Sequence, residues 1–170
     1  MKKSTKKLVL LSLFAAAALV LSYIESMLPP LYPAVPGIKM GLPNIIILVC
    51  LYILSPKEAL VLSLVRVFVS ALLFGNIMSL AYSLAGAMLS LAVMTVLKKT
   101  NSFSAVGVSV SGAVCHNLGQ VIVAIAILEN IQIGYYMIIL SVTGTIAGIL
   151  TGIAGALVTK YLNKAIKGDN

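Results

Sequence analysis

Few residues in this 170-residue chain could do chemistry, and most of them stand inside apolar runs. Arg66 lies in the middle of PKEALVLSLVRVFVSALLFG, Pro56 to Gly75. A guanidinium at the centre of a bilayer costs about 2.5–3.5 kcal/mol even on insertion scales, so it turns toward a bundle interior or a wet cavity and takes a partner. On a helix, Ser63 and Ser70 fall three residues before and four after Arg66, which makes a polar stripe on an apolar rod. That stripe has two uses: a structural ion pair or carbonyl cap, or a seat for an anion. The second set is His116, Asn117 and Gln120. Ser109, Gly112, His116 and Gln120 share one helical face, with Asn117 on its flank. Lipid supplies no hydrogen-bond partners, so these side chains form either a satisfied polar network or the wall of a ligand site.

The acids narrow the chemistry. Glu25, Glu58, Glu129 and Asp169 are the full complement. Enzymes that hold diphosphates through magnesium need clustered carboxylates; with one aspartate, in the tail, prenyl transfer by this polypeptide alone is not expected. No GxxxxGK[ST] loop is present, so the chain is not expected to hydrolyse ATP. Nor is there a pair of intramembrane carboxylates to suggest a proton-driven pump. Cys50 and Cys115 stand in apolar segments without metal-ligand spacing and read as buried thiols, not as a disulfide. The expectation is a binding protein with no catalytic residue, metal or cofactor. Glu25 and Glu129 lie near the outer ends of their spans, within reach of Lys39 or a cationic group, and Glu58 beside Lys57 reads as solvated.

The elements that position these residues follow from composition. The chain is 61% hydrophobic and 9% charged, with a mean hydropathy of +1.12. A soluble chain carries about 25% charged residues, so this is an all-α integral membrane protein by composition. The net charge of +8 comes from lysines between apolar spans, which is a topology signal and not a nucleic-acid surface. The first run, Leu8 to Leu28, continues past the small residues Ala15 to Ala18 and reads as a transmembrane helix, not a cleaved signal. Next, PPLYPAVPGIKMG, Pro29 to Gly41, holds four of the six prolines and reads as a stiff extended loop.

The run Leu42 to Leu54 has only 13 residues, a length closer to a re-entrant segment than to a span. Charge counting decides its reading. If it crosses, Lys2, Lys3, Lys6, Lys7, Lys57, Lys98, Lys99, Lys160, Lys164 and Lys167 share one side against Lys39 alone; if it does not, four lysines face seven. The positive-inside rule favours the first arrangement. The expectation is a single domain of six transmembrane helices at about 8–28, 41–54, 59–74, 77–97, 103–128 and 133–162, with N- and C-termini cytoplasmic. The second helix borrows Ile38 to Met40 or sits in a thinned bilayer. The loop 29–41, the Gly75–Asn76 turn and Glu129 to Gly134 then cap the outer end, the first of them as a lid.

Three faces read as helix contacts. Ser79, Ser83, Gly86 and Ser90 form a small-residue stripe, and Gly144, Gly148 and Gly152 a repeated GxxxG ladder, both suited to close packing. Ala15 to Ala18 with Ser22 offers a smooth face to another helix or to a partner subunit.

The alanine-rich first helix, the loop ending PGIKMGLPNIIIL and the hairpin SPKEALVLSLVRVFVSALLFG resemble the Gx transporter family, also labelled heptaprenyl diphosphate synthase component I. That family in turn resembles the S components of energy-coupling factor (ECF) transporters. The resemblance covers nearly the whole chain, through patterns of Pro, Gly and Ala and no catalytic signature. It implies an S-component-like bundle in the cell membrane whose outer half holds one small molecule under the first loop. It also implies that Ala15, Ala16, Ala17 and Ala18 contact a transmembrane coupling subunit, with two ATPase subunits supplying energy.

On this reading the chain takes up a small micronutrient or cofactor precursor, anionic or polar-headed. The substrate lies between spans three to six, with Arg66 and Ser70 at its charge, His116, Asn117 and Gln120 orienting it, and Tyr82, Tyr135 or Tyr136 stacked on an apolar ring. The expected partners are that substrate, membrane lipid and the coupling and ATPase subunits, with no nucleic acid. The alternative is a membrane accessory subunit of heptaprenyl diphosphate synthase, whose partner supplies the aspartates. A structural subunit of a redox or quinone complex is a third reading, which leaves His116, Asn117 and Gln120 without a task.

Overall fold

The computed structural model describes residues 3–28 and 41–167. The expected lid, apart from Gly41, lies outside the described residues, as does Lys39. Six α-helices and one 3-10 turn make up the described chain: α1 (Lys3–Met27), α2 (Asn44–Ile53), α3 (Pro56–Phe74), α4 (Ile77–Thr100), α5 (Ala105–Leu128), the turn η1 (Ile131–Tyr135) and α6 (Tyr136–Lys167).

Helix boundaries follow local chemistry. Pro56 opens α3, where its missing N–H is not needed. Asn76 opens α4 with a capping box: its Oδ1 accepts the Ser79 N–H at 2.8 Å, and Ser79 Oγ accepts the Asn76 N–H at 3.0 Å. Ser104 Oγ accepts the Gly107 N–H at 3.1 Å at the start of α5. Asn101 after α4 and Glu129 after α5 turn the chain into the left-handed region at φ 54 and 50, the usual way for a helix to stop.

Thr5–Met27, Ile77–Thr100, Ala105–Leu128 and Ile131–Ile166 are long and apolar enough to cross a membrane. Between a fifth and two-fifths of each is buried within the bundle, and large apolar side chains such as Leu72, Ile77 and Ile131 are 80% exposed or more. A surface of that kind fits lipid and not water. The run expected as a second span is a helix of 10 residues, about 15 Å long, half of a hydrocarbon core of about 30 Å. Ile47 to Leu51 in it are all buried. Thus α2 is an interior half-helix, packed against α6, α3 and α1, and its N-terminus starts inside the bundle.

The interior is layered. One apolar cluster joins Phe14, Ile47, Leu48, Leu62, Leu91, Met94 and Val108 from α1 to α5. A smaller one joins Tyr82, Val121, Ala124, Ile133 and Leu140. Along α4 and α5 the polar residues fall between these two clusters: Ser83, Gly86 and Ser90 on α4, and Gly112, His116, Asn117 and Gln120 on α5. The first cluster lies toward the lysine-bearing end, where Lys7 pairs with Glu58 and Lys98 Nζ donates to Leu51 O at 2.6 Å.

Candidate functional site

The polar belt draws on all six described helices. Arg66 on α3, 3% exposed, donates from Nη2 to Asn44 Oδ1 at 3.4 Å. Asn44 is the first residue of α2, so the half-helix places its N-terminus against the guanidinium. Glu25 on α1, 6% exposed, lies within electrostatic reach of Arg66. Its Oε1 accepts the Gly41 N–H at 2.5 Å and the Leu42 N–H at 3.2 Å. A carboxylate here satisfies amides at the start of α2 and faces the positive end of its dipole. Gly41 has φ +83, and a Cβ on it would stand 2.8 Å from Asn44 Nδ2 and 3.5 Å from His116, so both backbone and space demand glycine.

His116 and Gln120 stand one turn apart on α5, 2% and 0% exposed, with Nε2 to Nε2 at 3.2 Å. The pair shares one hydrogen bond, so one of its two outward groups, an imidazole Nδ1 and an amide group, donates and the other accepts, whichever way the amide and the tautomer are set. Both side chains lie on Gly86 of α4, where a Cβ would come within 3.0 Å of each of them and 2.7 Å of His116 O. Asn117 faces α6 instead: its Nδ2 donates to Leu140 O at 2.8 Å, over Gly144. Below it, Ser109 and Thr151 join their hydroxyls at 2.9 Å across the same seam.

Gly41, Asn44, Ser90, Gly112, Ala147 and Thr151 line a cavity of about 10 Å³ for a water-sized sphere, room for about one water molecule. Of the belt's polar side chains that cavity meets Asn44, Ser90, Ser109 and Thr151. The belt is unsatisfied: Arg66 Nε, Ser90 Oγ, His116 Nδ1, Asn117 Oδ1 and Gln120 Oε1 are buried without a hydrogen-bond partner. Five such atoms in one layer is a concentration that native interiors avoid unless water or a ligand completes it.

Of the residues expected at the site, Arg66, His116 and Gln120 are brought together, and Asn117 adjoins them. Ser70 is buried, but its Oγ donates to Val67 O of its own helix. Tyr82, 2% exposed, belongs to the smaller apolar cluster. Tyr135 is 77% exposed in η1, away from the belt. Ala15 to Ala18 do not form one face, because consecutive helical residues turn by 100°: Ala16 is exposed, whereas Ala18 is fully buried inside the bundle. Gly144, Gly148 and Gly152 of α6 pack against α5, at Asn117, Val110 and Val106. Among the described residues no group of three or more His, Cys, Asp or Glu could hold a metal ion.

Asn44 and Gly41 were not singled out from the sequence. Their signal was there, in the GLPN that precedes an apolar run as a helix-start pattern, yet only a folded α2 shows which helix it points at.

Fold and site together define an all-helical membrane protein with a buried polar belt between its helices. The family model for heptaprenyl diphosphate synthase component I matches residues 14–158, and the chain belongs to that family. Comparison with curated proteins and with solved structures gives no match.

Proposed function

We propose that this chain is the substrate-binding membrane component of an ECF-type transporter, which takes up a small micronutrient or cofactor precursor. The observation that carries this reading is the layer of five buried, unpartnered polar atoms around Arg66, His116 and Gln120. A purely structural core has no use for them, since each costs free energy until something completes it. Two further features support it. Half-helix N-termini that end near mid-membrane are a recurrent way to build substrate sites in transporters. The lysine-bearing end, with Lys6, Lys7, Lys57, Lys98, Lys99, Lys160 and Lys164, faces the cytoplasm of the cell membrane on the positive-inside rule. Gly41 and Glu25 then stand toward the outer side, where substrate enters. A transmembrane coupling subunit and ATPase subunits would supply the energy, for which this chain has no nucleotide motif; within the alanine run only the exposed side of α1, Ala16 included, is free to meet such a subunit.

The family's name favours a second reading: one component of a heptaprenyl diphosphate synthase, acting with another subunit. Here the chain would be a non-catalytic membrane partner. Native mass spectrometry of the protein, purified in mild detergent from its own host, separates the two. One small molecule per chain, with coupling subunits in the larger assemblies, is the expected result. A stoichiometric soluble prenyl synthase and no small ligand would replace the transporter reading with the second.

A further inference from the structure

We infer that the polar belt takes a compact molecule of no net charge that presents N–H donors together with carbonyl or ring-nitrogen acceptors, and that it rejects diphosphates. This rests on the substrate-binding reading above and adds the chemical class of the substrate.

The first argument is charge. Among the described residues the buried ionisable side chains of fixed opposite sign are Arg66 and Glu25, and they are linked through the first turn of α2: Glu25 on Gly41 and Leu42, Arg66 on Asn44. The guanidinium already shares its field with a carboxylate. A diphosphate would bring two or more further negative charges into a low-dielectric layer where, among the described residues, Arg66 is the buried cation and is already shared with Glu25, and charges buried without matched partners are strongly disfavoured.

The second argument is the hydrogen-bond inventory. Arg66 Nε–H donates and Asn117 Oδ1 accepts; the His116–Gln120 pair presents one donor and one acceptor in either of its arrangements; Ser90 Oγ does either. The Asn117 amide cannot rotate to convert its acceptor into a donor, because its nitrogen is held by Leu140 O, which only accepts. An ionised diphosphate offers acceptors alone and leaves both free acceptors, Asn117 Oδ1 and that of the His116–Gln120 pair, facing lone pairs. An amide-like or heterocyclic molecule offers both kinds of group and completes donors and acceptors at once.

The test uses the full chain in mild detergent, analysed by native mass spectrometry with fragmentation of whatever small molecule is released, and inorganic pyrophosphate as the added probe. The expected result is one bound organic molecule per chain, free of phosphorus, uncharged at neutral pH and carrying at least one N–H donor. It should be lost from Gln120→Leu at a melting temperature near that of the wild type, and pyrophosphate should neither displace it nor raise the melting temperature. In Glu25→Gln, where the guanidinium loses its counter-charge, pyrophosphate should bind about tenfold more tightly than to the wild type, the factor that follows from 1.4 kcal/mol of restored attraction. A bound phosphate ester or other polyanion would overturn the substrate class while leaving the binding reading intact. A chain that carries water only, and loses nothing in Gln120→Leu, would overturn both. Should Glu25→Gln fail to fold, the wild-type and Gln120→Leu measurements decide the matter.

Discussion

Glu25 and Arg66 do not need to touch to be coupled, because the first turn of α2 stands between them. The carboxylate accepts the Gly41 and Leu42 amides, and the guanidinium donates to Asn44, three residues further on. One short helix thus ties α1 to α3 through charge-assisted contacts at its N-terminus, and Gly41 and Asn44 line a small cavity together with Ser90 and Gly112.

The linkage predicts a non-additive pair. Arg66→Met removes the buried guanidinium whose field Glu25 shares, a loss of at most about 3–5 kcal/mol, the range for breaking a buried pair. Glu25→Gln alone leaves the guanidinium in the same position. The double variant Glu25→Gln/Arg66→Met should recover about 1–3 kcal/mol relative to the sum of the single changes. Thermal unfolding in detergent of the four proteins measures this; strictly additive losses would remove the coupling through α2. Hydrogen exchange at the Gly41 and Leu42 amides should rise in Glu25→Gln, and rise further in Glu25→Leu.

The seam between α5 and α6 depends on glycine. A Cβ at Gly148 would lie 2.6 Å from Val110 Cα, a backbone atom that cannot swing away. Gly148→Leu should therefore cost at least about 1–3 kcal/mol by overpacking, and push the Ser109–Thr151 hydroxyls apart. Gly107 is the control, with nothing closer than 3.6 Å to an added Cβ. There Gly107→Ala should be neutral, or stabilise by about 0.5–1 kcal/mol through helix propensity. Equal melting temperatures for the two variants would contradict the close approach.

Lys98 caps α2 from α4. Its Nζ donates to Leu51 O, one of the last-turn carbonyls of α2 without a helical partner, and stands 5.1 Å from the centre of the Tyr52 ring. Lys98→Met should destabilise by about 1.5–3 kcal/mol, the range for a hydrogen bond from a charged donor, whereas Lys98→Arg keeps the cation on the ring. Chemical-denaturant or thermal unfolding that ranks Met equal to Arg would leave the cap without energetic meaning.

At the lysine-bearing end, ahead of the apolar part of α3, Lys7 and the Ser55 hydroxyl hold the Glu58 carboxyl down to about 2. The sign follows from linkage. A carboxyl whose folded value is depressed adds stability above its unfolded value, about 4.3, and loses it as pH falls through 2. The wild type should lose melting temperature between about pH 4 and 2, and Glu58→Gln should show a flatter acid limb over the same window. Parallel acid limbs for the two proteins would mean that the pair contributes nothing. This corrects the reading of Glu58 as merely solvated beside Lys57: its side chain is 15% exposed and engages Lys7 from α1.

The sequence by itself determined the class of protein, the number of helices and the polar residues of α3 and α5. Apolar runs are local and additive, so α4 and α5 start and stop close to where composition places them, and Asn76 and Ser104 mark their caps within three residues. His116 and Gln120 share a face because α-helical periodicity alone puts them there, and Arg66 inside an apolar run announces a buried partner without naming it. The partner's identity was the first thing beyond reach. Asn44 meets Arg66 only because α2 is a buried half-helix that begins inside the bundle, and no charge count along the chain distinguishes a half-helix from a thin span. The same holds for Tyr135, whose aromatic ring suits a stacking role in sequence but which η1 turns outward, and for Ala15 to Ala18, whose composition suggests a face that helical geometry divides between the core and the surface. Which side chains end without partners was likewise decided by tertiary structure, since satisfaction depends on angles and distances between helices that are remote in sequence: Asn117 spends its amide nitrogen on Leu140 of α6, and its carbonyl oxygen is left without a partner.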